Sequence, residues 1–539
     1  MELRKTAGKI KRKLVGTGAS AKPAPKAVAI AFPDIADKVT NGHTISATGH
    51  KILQAGITEL VAQQKISEVD GYFSSLPKYA DHSERAAIAH TLVIGCLLGE
   101  YIPQQFQDSV AIVMEAADSA ASTIECDALL NKAQDMLFHS FLHFAGNVSP
   151  LSQNPKDFLR HWDSSTSVKH ILNDEIRNRA NARTNVARSK VDAGVCFTTF
   201  TNRNFLQQIM DHADKVSNGS AHFIDIRGKE FTRVPLTIDE QIAFVRGNHD
   251  WDTSTIDSIT HSETIFVEWG QRAAVVLSHL ARQDQRIVVR IHSYEPFTVF
   301  PYLIDAAGVD QLIFVSSIIR NLVFEATPHL ASIPTVVLPN AMDLAQFTPE
   351  KSDKAAKTLT MLGYGNPEKD PKWSLHVLKE LVDSDPEWRL QCVGHFFPRT
   401  ARPADVRYAE EFTAQISELG LDNHVELIGQ VDDVSAALRD TGWILSASIR
   451  ESFHQAVAEG AASGAVPVVR NWPGVAQWGG PADIYPSDWV VDTPHQAAER
   501  IRTLEATRVE TGMAAREWVL SNVDWSVVAD RYTSAIWGE

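Results

Sequence analysis

Cysteine is scarce in this chain of 539 residues, which contains only Cys96, Cys126, Cys196 and Cys392. These four residues lie far apart and form no CxxC pair, so neither a disulfide framework nor a structural zinc site is expected. A reducing compartment fits this usage best, and we expect a cytoplasmic protein. Long apolar runs are scarce as well. The best candidate, "AAIAHTLVIGCLLGEYI", is interrupted by His90 and is shorter than the roughly 20 apolar residues that cross a bilayer; we predict that it forms a buried helix.

Basic residues are in deficit, since 51 Lys and Arg stand against 66 Asp and Glu, for a net charge of -15. A general nucleic-acid-binding protein needs a basic surface, so this charge disfavours that class. The basic N-terminus, "MELRKTAGKIKRKLV", lacks the apolar core and cleavage site of a secretory signal. We interpret it as a solvated tail, with peripheral contact at the cytoplasmic face of an anionic membrane as the alternative. The linker-like "GTGASAKPAPKA" follows, and we assign residues 1–28 to tail and linker.

The length of the chain predicts several domains, because a single hydrophobic core stops growing well below this size. From about residue 45 to about residue 180 the pattern is helical. In "LLNKAQDMLFHSFLHF", for example, apolar residues recur at intervals of three and four. We assign residues 29–189 to an α-helical N-terminal domain, whose default role is to bind a partner.

Strand-like patterns begin near residue 190. Short runs rich in Val and Ile, such as "VDAGVCFTTF", "QRIVVRIH", "TLTMLG" and "HVELIGQV", alternate with helical segments in two successive series. This alternation predicts parallel sheets covered on both faces. We therefore expect an α/β chain with two doubly wound, Rossmann-like domains, at residues 190–345 and 346–520, and a C-terminal crossover helix within 521–539. Ligands of such domains lie at the carboxyl ends of the strands, so two domains that face one another form a binding cleft.

A candidate site lies in "RESFHQAVAEGAASGAVPVV", residues 450–469. A strand ends just before it, a short loop contains Glu451, and a helix is expected to begin near Phe453 or His454. The free N–H groups at the start of that helix can bind an anion such as a diphosphate. Glu459 lies about 12 Å from Glu451 along a helix that rises 1.5 Å per residue, so one carboxylate could hold a sugar hydroxyl and the other a ribose diol. Spacing alone leaves the alternative of an exposed helix with two unrelated acids.

This stretch resembles the Glu-x7-Glu motif of the retaining glycosyltransferases of family 4, whose usual form is close to "EGFGLVLLEAMACGLPVV". Three further segments match the family in the right order: "VVLPNAMDLAQF" resembles its hinge "IPNGVDLERF", "LGYGNPEKDPKW" resembles its loop "VGRLVPEKNPEL", and "VELIGQV" resembles its strand "VRFLGFV". The resemblance covers roughly residues 190–539. It implies the GT-B fold, a nucleotide-sugar donor, a glycan, lipid-linked or other acceptor, and no metal ion or other cofactor.

The resemblance also implies roles for residues of the second α/β domain. Lys369 matches the lysine that contacts the donor diphosphate, where a cation offsets the charge of the leaving group. The arginine that the family has five positions earlier is Tyr364 here. We expect Tyr364 to contact the donor, with one hydrogen bond but no charge. Glu451 and Glu459 are the two acids of the motif, of which Glu451 is expected to be catalytic and Glu459 to bind the donor.

The loop after Glu451 departs from the family, because it reads Ser452-Phe453-His454 in place of Gly-Phe-Gly. We expect these three residues to contact the donor. One interpretation is that His454 replaces part of the positive charge that Tyr364 lacks. The other is that His454 is a surface residue at the rim of the cleft.

In the first α/β domain, His292 follows the strand in "VVRIHSYEP". It resembles the active-site histidine that faces the transferred sugar, and the alternative is a histidine whose hydrogen bonds are satisfied at a strand end. Arg290 points to the same face, since side chains alternate along a strand. The glycine-rich loop of the family is missing, and the sequence there reads "TTFTNRNF". We expect Asn202, Arg203 and Arg290 to contact acceptor or phosphate.

Together with these residues, the family resemblance implies a metal-independent hexosyltransferase that retains the anomeric configuration. A non-catalytic partner or chaperone subunit of a glycosylation complex is the alternative, favoured by Tyr364 and by the missing glycine-rich loop. A third class is suggested by the block Gly-Asn-His-Asp at residues 247–250, which is typical of metallophosphoesterases. That chemistry needs two metal ions held by several loops, and the other motifs are absent in order, so an ordinary loop on the acceptor side is preferred.

Overall fold

The computed structural model describes the chain over residues 25–144, 146–172, 194–200, 203–226, 238–246, 259, 262–280, 284–398 and 403–538. The N-terminal part of this range is helical, as predicted. Its helices are α1 (Pro25–Thr40), α2 (Ala47–Ala62), α3 (Ile66–Phe73), α4 (His82–Leu98), α5 (Phe106–Asp118), α6 (Thr123–Leu137), α7 (Ser140–Phe144), α8 (Pro150–Gln153), α9 (Pro155–Phe158), α10 (Arg160–Ser164) and α11 (Thr166–Leu172). We call this set the helical region. Helix α1 begins inside the segment that the sequence assigned to the linker.

Helix α4 contains most of the longest apolar run of the sequence, and it is a buried helix of the helical region. Asp81 caps it by accepting a hydrogen bond from the backbone N–H of Glu84, which satisfies one of the free donors at the helix start. Ala86, Leu92 and Leu97 are almost fully buried. No helix in the described ranges is long and apolar enough to cross a membrane.

Two six-stranded parallel sheets follow, in agreement with the predicted fold class. The first has the order β2-β1-β3-β4-β5-β6. Its strands and the helices between them are β1 (Val195–Thr199), α12 (Gln207–Val216), β2 (Ala221–Asp225), α13 (Ile238–Val245), β3 (Thr264–Glu268), α14 (Arg272–Leu280), β4 (Arg286–Ile291), α15 (Phe300–Leu303), β5 (Gln311–Phe314), α16 (Ser317–Ala326) and β6 (Thr335–Val337).

The second sheet has the order β12-β11-β10-β7-β8-β9. Its elements are β7 (Thr358–Leu362), α17 (Pro371–Ser384), β8 (Arg389–Val393), α18 (Pro403–Glu418), β9 (Val425–Gly429), α19 (Val434–Ala437), β10 (Trp443–Ser446), α20 (Gln455–Ala462), β11 (Val466–Arg470), β12 (Val490–Val491) and α21 (Pro494–Leu504). Strands β7 and β10 are neighbours at the centre of the sheet. The loops that follow them therefore meet at its carboxyl edge.

The chain ends in two helices, α22 (Arg508–Asn522) and α23 (Trp525–Trp537). Helix α23 returns to the first sheet, where Tyr532 and Trp537 share an apolar cluster with Phe266 of β3. Arg286 of β4 donates hydrogen bonds to two carbonyl oxygens at the end of α23, including that of Ile536 at 2.9 Å. The last helix therefore ties the end of the chain to the first domain.

The helical region shares one continuous hydrophobic core with the first sheet. At their junction the ring of Tyr302 lies 5.5 Å from that of Phe138 and 6.3 Å from that of Trp162, measured between ring centres. Aromatic pairs at these separations stabilise a junction beyond the area that they bury. The predicted partner-binding region is thus packed against a domain of its own chain.

Candidate active site

The loops after β7 and β10 bring Lys369 and Glu451 together at the carboxyl edge of the second sheet. Lys369 ends a short 3-10 turn after β7, and its Nζ lies 2.5 Å from Oε1 of Glu451. The two loops are also joined through the backbone, because the N–H of Ile449 donates to the carbonyl oxygen of Glu368 at 2.8 Å. The side chains of Lys369 and Glu451 are 26% and 13% exposed, so a ligand in the cleft can reach the pair.

Glu451 is held in its ionised form. Burial alone would raise its pKa, but Lys369 and His454, together with a hydrogen bond from Ser448, lower the pKa of Glu451 to about 2. The hydroxyl of Ser448 donates to Oε1 at 2.7 Å. A carboxylate held in this way can accept a hydrogen bond from a hydroxyl group over the whole physiological pH range.

His454 occupies the position just before α20 and has a left-handed backbone, with φ of 60°. Trp472 Nε1, which can only donate, lies 3.0 Å from Ser446 Oγ. The hydroxyl hydrogen of Ser446 is then directed to His454 Nδ1, 2.6 Å away. This arrangement makes Nδ1 an acceptor, so the proton of the neutral ring belongs on Nε2.

The charge state of His454 follows from its surroundings. Burial lowers the pKa of His454 to about 4, and Lys369 acts in the same direction, against Glu451. Nε2 is buried and has no hydrogen-bond partner in the described part of the chain; it lies 3.8 Å from Glu451 Oε1. This placement favours neither sequence interpretation of His454, because the residue is only 7% exposed and burial favours the neutral ring.

Phe453 and Ser452 complete the loop. The ring of Phe453 is buried against Tyr485, 5.6 Å between centres. The hydroxyl of Tyr485 lies 2.9 Å from the carbonyl oxygen of Phe453 and 3.2 Å from that of His454. These contacts with Tyr485 fix the backbone of the loop. Ser452 is half-buried beside Glu451.

Glu459 lies in the second turn of α20 and is half-buried. Burial raises its pKa. Its carboxylate forms no hydrogen bond or ion pair with any of the residues that the structure describes, in contrast to Glu451. A carboxylate left in this state can be stabilised by hydroxyl donors of a ligand.

Tyr364 does not join this group. Its side chain is 1% exposed and packs among aromatic rings, with ring centres 6.2 Å from both Phe397 and Phe412 and 6.4 Å from Phe396. Burial raises the pKa of Tyr364 to about 12. Since the side chain belongs to the core of the second domain, this placement does not favour the expected contact with the donor.

In the first domain, His292 follows β4 and is covered by two aromatic rings. Its ring is 3% exposed and stacks with those of Trp269 and Phe205, whose centres are 4.1 and 5.6 Å away. Nε2 lies 3.0 Å from Glu268 Oε1 and donates to this carboxylate; in the neutral tautomer with this proton, Nδ1 is an acceptor. The backbone N–H of His292 donates to Glu295, which fixes the turn after the strand.

Arg290 is buried in a network of hydrogen bonds, and this placement does not favour the expected contact with acceptor or phosphate. Its side chain is completely buried. The guanidinium donates two hydrogen bonds to Glu268, at 2.8 and 2.7 Å, one to the hydroxyl of Tyr532 at 2.9 Å, and one to the carbonyl oxygen of Phe205 at 3.0 Å. Burial alone would raise the pKa of Glu268, but Arg290 and His292 lower it to about 2. Within the described residues, the guanidinium has no exposed surface.

The remaining predicted residues are less constrained. Arg203 is exposed, with its guanidinium 5.3 Å from the ring centre of Phe223 on β2. Asn202 and the block 247–250 lie outside the described residues. Within the described residues, no group of three or more His, Cys, Asp or Glu side chains is arranged to hold a metal ion.

Sequence reasoning missed the residues that support the loop from outside the motif. Arg450 precedes Glu451 and reaches the helical region, where its Nη1 donates to the carbonyl oxygen of His143 at 2.9 Å. Arg470, at the end of β11, donates to Asp370 at 2.6 Å and fixes the start of α17. Ser446 and Trp472 orient His454, as described above. No pattern in the sequence marks these contacts, because each depends on which loops the fold brings together.

Comparison with known proteins finds one family match in this part of the chain. Residues 344–517 match the family model described as "Glycosyl transferases group 1", and no match was found among curated proteins. The crystal structure of HepE from Anabaena in complex with UDP is similar with a TM-score of 0.50 at 14% identity, over 64% of this chain and 100% of that chain. A glycosyltransferase from Rickettsia africae ESF-5 has a TM-score of 0.48 at 13% identity, over 64% and 97%. Sucrose-phosphate synthase from Thermosynechococcus elongatus has a TM-score of 0.46 at 14% identity, over 64% and 98%.

The likeness to HepE shows a shared fold, in which two Rossmann-like domains follow one another. The family match covers the second of these domains, including both loops that form the ion pair. Residues 344–517 of the chain therefore form a glycosyltransferase group 1 domain.

Proposed function

We propose that this protein transfers a sugar from a nucleotide-sugar donor to an acceptor with retention of configuration and without a metal ion. The observation that carries the proposal is the Lys369–Glu451 ion pair at the start of α20, inside the group 1 domain. A lysine and the free N–H groups of a helix start together offset the charge of a diphosphate. In other enzymes a divalent cation performs this task.

In this proposal Lys369 leaves its contact with Glu451 in part and binds the diphosphate of the donor. Glu451 stays ionised, since its pKa is about 2, and accepts a hydrogen bond from a hydroxyl group of the transferred sugar. The positive charge of Lys369 then lies where the leaving group develops negative charge. In the bond that breaks, Lys369 thus contacts the diphosphate side and Glu451 contacts the sugar side.

The other residues of the motif are proposed to contact the rest of the donor. Nε2–H of His454 points toward Glu451 and has no hydrogen-bond partner in the described chain, so it can donate to a phosphate oxygen or to the sugar. The backbone N–H groups of Ser452 and Phe453 lie on the same loop and can bind a phosphate oxygen. Glu459 accepts hydrogen bonds from the ribose diol.

The reaction needs no strong base in this arrangement. The bond between the anomeric carbon and the diphosphate oxygen breaks, and the acceptor oxygen bonds to the same face of that carbon. The proton of the acceptor hydroxyl passes to the leaving diphosphate. In the first domain, Nδ1 of His292 can accept a hydrogen bond from a hydroxyl of the sugar or acceptor that enters beside Trp269. The protein contributes positioning and electrostatic stabilisation.

The nucleotide is proposed to be a uridine diphosphate. This proposal is supported by the shared fold with HepE, whose crystal structure contains UDP. The choice between UDP and other nucleotides depends on contacts to the base, and thermal-shift measurements with UDP, GDP and ADP compare them directly. We expect UDP to stabilise the protein most, because at equal concentration a ligand that binds the folded state more tightly raises the melting temperature further.

The test of the function is turnover of UDP-sugars, measured as released UDP, with and without EDTA. We expect equal turnover in both conditions and a large loss in the Lys369→Ala variant. Loss of activity on chelation that Mn²⁺ restores would instead indicate a metal-dependent site near the block 247–250. The wild type could instead show no turnover with any common nucleotide sugar while Lys369→Ala binds the donor equally well. The assignment would then change from an enzyme to a non-catalytic partner subunit.

A further inference from the structure

The helical region touches the second domain directly beside the Lys369–Glu451 pair. Arg450 is the residue before Glu451, and its guanidinium lies over two rings of the other domains. Its central carbon is 5.1 Å from the ring centre of Phe144 in α7 and 4.0 Å from that of Phe297. The same guanidinium donates to the carbonyl oxygen of His143 at 2.9 Å. A single side chain therefore joins the helical region, the first domain and the loop that contains Glu451.

The chain neighbour of Lys369 also contacts the helical region. Glu368 precedes Lys369, and its Oε1 accepts a hydrogen bond from the backbone N–H of Gly146 at 3.4 Å. Gly146 has a left-handed backbone, with φ of 72°, and a Cβ at this position would lie only 2.8 Å from Cβ of Pro367. Glycine is needed here because it allows both the backbone angle and the close approach.

We propose that Arg450 is a positioning residue, which couples the docked helical region to the donor site by holding the Glu451 loop against Lys369. The inference rests on the proposed function, since it assigns Arg450 to the same site. It gives the helical region a role in catalysis: the contacts of Arg450 and Gly146 fix the two loops from which the ion pair projects.

The surroundings of Arg450 give a physical reason for this coupling. Burial lowers the pKa of Arg450 to about 10, with Glu368 and Glu451 acting against this effect, so the side chain is a cation at neutral pH. A shielded cation needs compensation from the groups around it. The faces of Phe144 and Phe297 and the carbonyl of His143 supply part of that compensation. Phe144 and His143 belong to the helical region, so their share is available only while that region is docked.

Other contacts between the helical region and the second domain lie away from the pair and offer matched controls. Arg407 of α18 forms an ion pair with Glu100. Trp478 Nε1 donates to the carbonyl oxygen of Ser152 at 2.8 Å. Both contacts join the same two parts of the molecule as Arg450 does, but neither involves a chain neighbour of Lys369 or Glu451. Arg407→Gln therefore removes a bridging arginine without disturbing the loops of the pair.

The test compares Arg450→Met, Arg450→Lys and Arg407→Gln by steady-state turnover of a UDP-sugar in the full chain. Arg450→Met keeps most of the aliphatic stem but removes the cation and the hydrogen-bond donor. We expect its kcat to fall by about 10- to 100-fold, because a displacement of about 1 Å at a catalytic group costs up to about 100-fold. Arg450→Lys should recover part of the loss, and Arg407→Gln should match wild type within about twofold.

A double-mutant cycle with Lys369→Ala separates positioning from a general loss of stability. If Arg450 acts through the pair, Arg450→Met should lower turnover by less than about threefold in the Lys369→Ala background, since residues that act as a unit are not additive. Equal losses in both backgrounds would overturn the inference. If Arg450→Met does not fold, Phe144→Leu removes one of its two ring contacts and takes its place in the cycle.

The outcomes distinguish the inference from the function on which it rests. If the wild type is active and Arg450→Met is as active as Arg407→Gln, Arg450 has no positioning role. The glycosyltransferase assignment would remain intact. Inactive wild type with every nucleotide sugar would overturn both, because there would be no catalytic pair for Arg450 to position.

Discussion

The strongest test of the donor site is the substitution His454→Asn. Asparagine tolerates the left-handed backbone of His454, where φ is 60°. Its side-chain amide reaches the position of Nδ1 and can keep the hydrogen bond to Ser446, but it is too short to replace Nε2–H. The variant therefore removes one hydrogen-bond donor from the site and leaves the fold of the loop in place.

The expected loss follows from the chemistry of the missing donor. A hydrogen bond to a charged group contributes about 1.5–3 kcal/mol, which corresponds to a fall of about 10- to 150-fold in kcat/KM for the donor. His454→Gln is the matched control, since its longer amide can place an N–H near the position of Nε2. We expect it to retain more activity than His454→Asn. Equal kcat/KM for His454→Asn and wild type, within about twofold, would refute the role of Nε2–H.

The pH dependence gives a second check on the same residue. The folded-state pKa of His454 is about 4, against an ordinary value of 6.5, so only about one ring in a thousand is protonated at pH 7. The unfolded chain binds the proton more tightly, and the stability that depends on the neutral ring is lost as pH falls from about 6.5 toward 4. The contribution of His454 to kcat/KM should thus be level above about pH 5. A contribution that grows as pH falls through 6.5 would mean that a cation is required.

Four further substitutions test the site and its support. Lys369→Ala should lower kcat by about 10²–10³-fold, measured as released UDP, because it removes a preorganised charge beside the leaving group; unchanged kcat would exclude Lys369. Glu459→Gln should weaken UDP binding in calorimetry by about 1.5–3 kcal/mol, and equal affinity would remove Glu459 from the site. Tyr364→Phe should leave kcat within about twofold, since the ring belongs to the core, and a large loss of kcat with an unchanged melting temperature would contradict this placement. Arg290→Met should cost about 3–5 kcal/mol in urea unfolding, because it leaves Glu268 buried without its cation, and a loss below about 1 kcal/mol would contradict the network. In wild type the contribution of Glu268, whose folded pKa is about 2, should be present above pH 4.5 and lost as pH falls toward 2.

The alternation of strands and helices was readable from the sequence. Runs such as "VCFTT" and "RIVVRI" became β1 and β4, and "TLTML" became β7, because a buried parallel strand requires a continuous apolar run of β-branched residues. Strand β12, with two residues, is too short to leave such a signal. The family resemblance also assigned Lys369 and Glu451 to one donor site. Their ion pair depends on β7 and β10 being neighbours in the sheet, because the carboxyl ends of neighbouring parallel strands meet at one edge.

The states of individual side chains were decided by the tertiary structure. Tyr364 follows a strand as Lys369 does, yet it turns into the core of the domain. Arg290 and His292 share one face of β4, but Arg290 is enclosed by Tyr532, 242 positions later in the chain. His454 is neutral and correctly oriented only because Ser446 and Trp472 lie beside it. Burial and pairing set the charge and the free hydrogen-bonding atoms of a side chain, and both depend on groups that folding brings together from distant positions, which no local pattern of residues encodes.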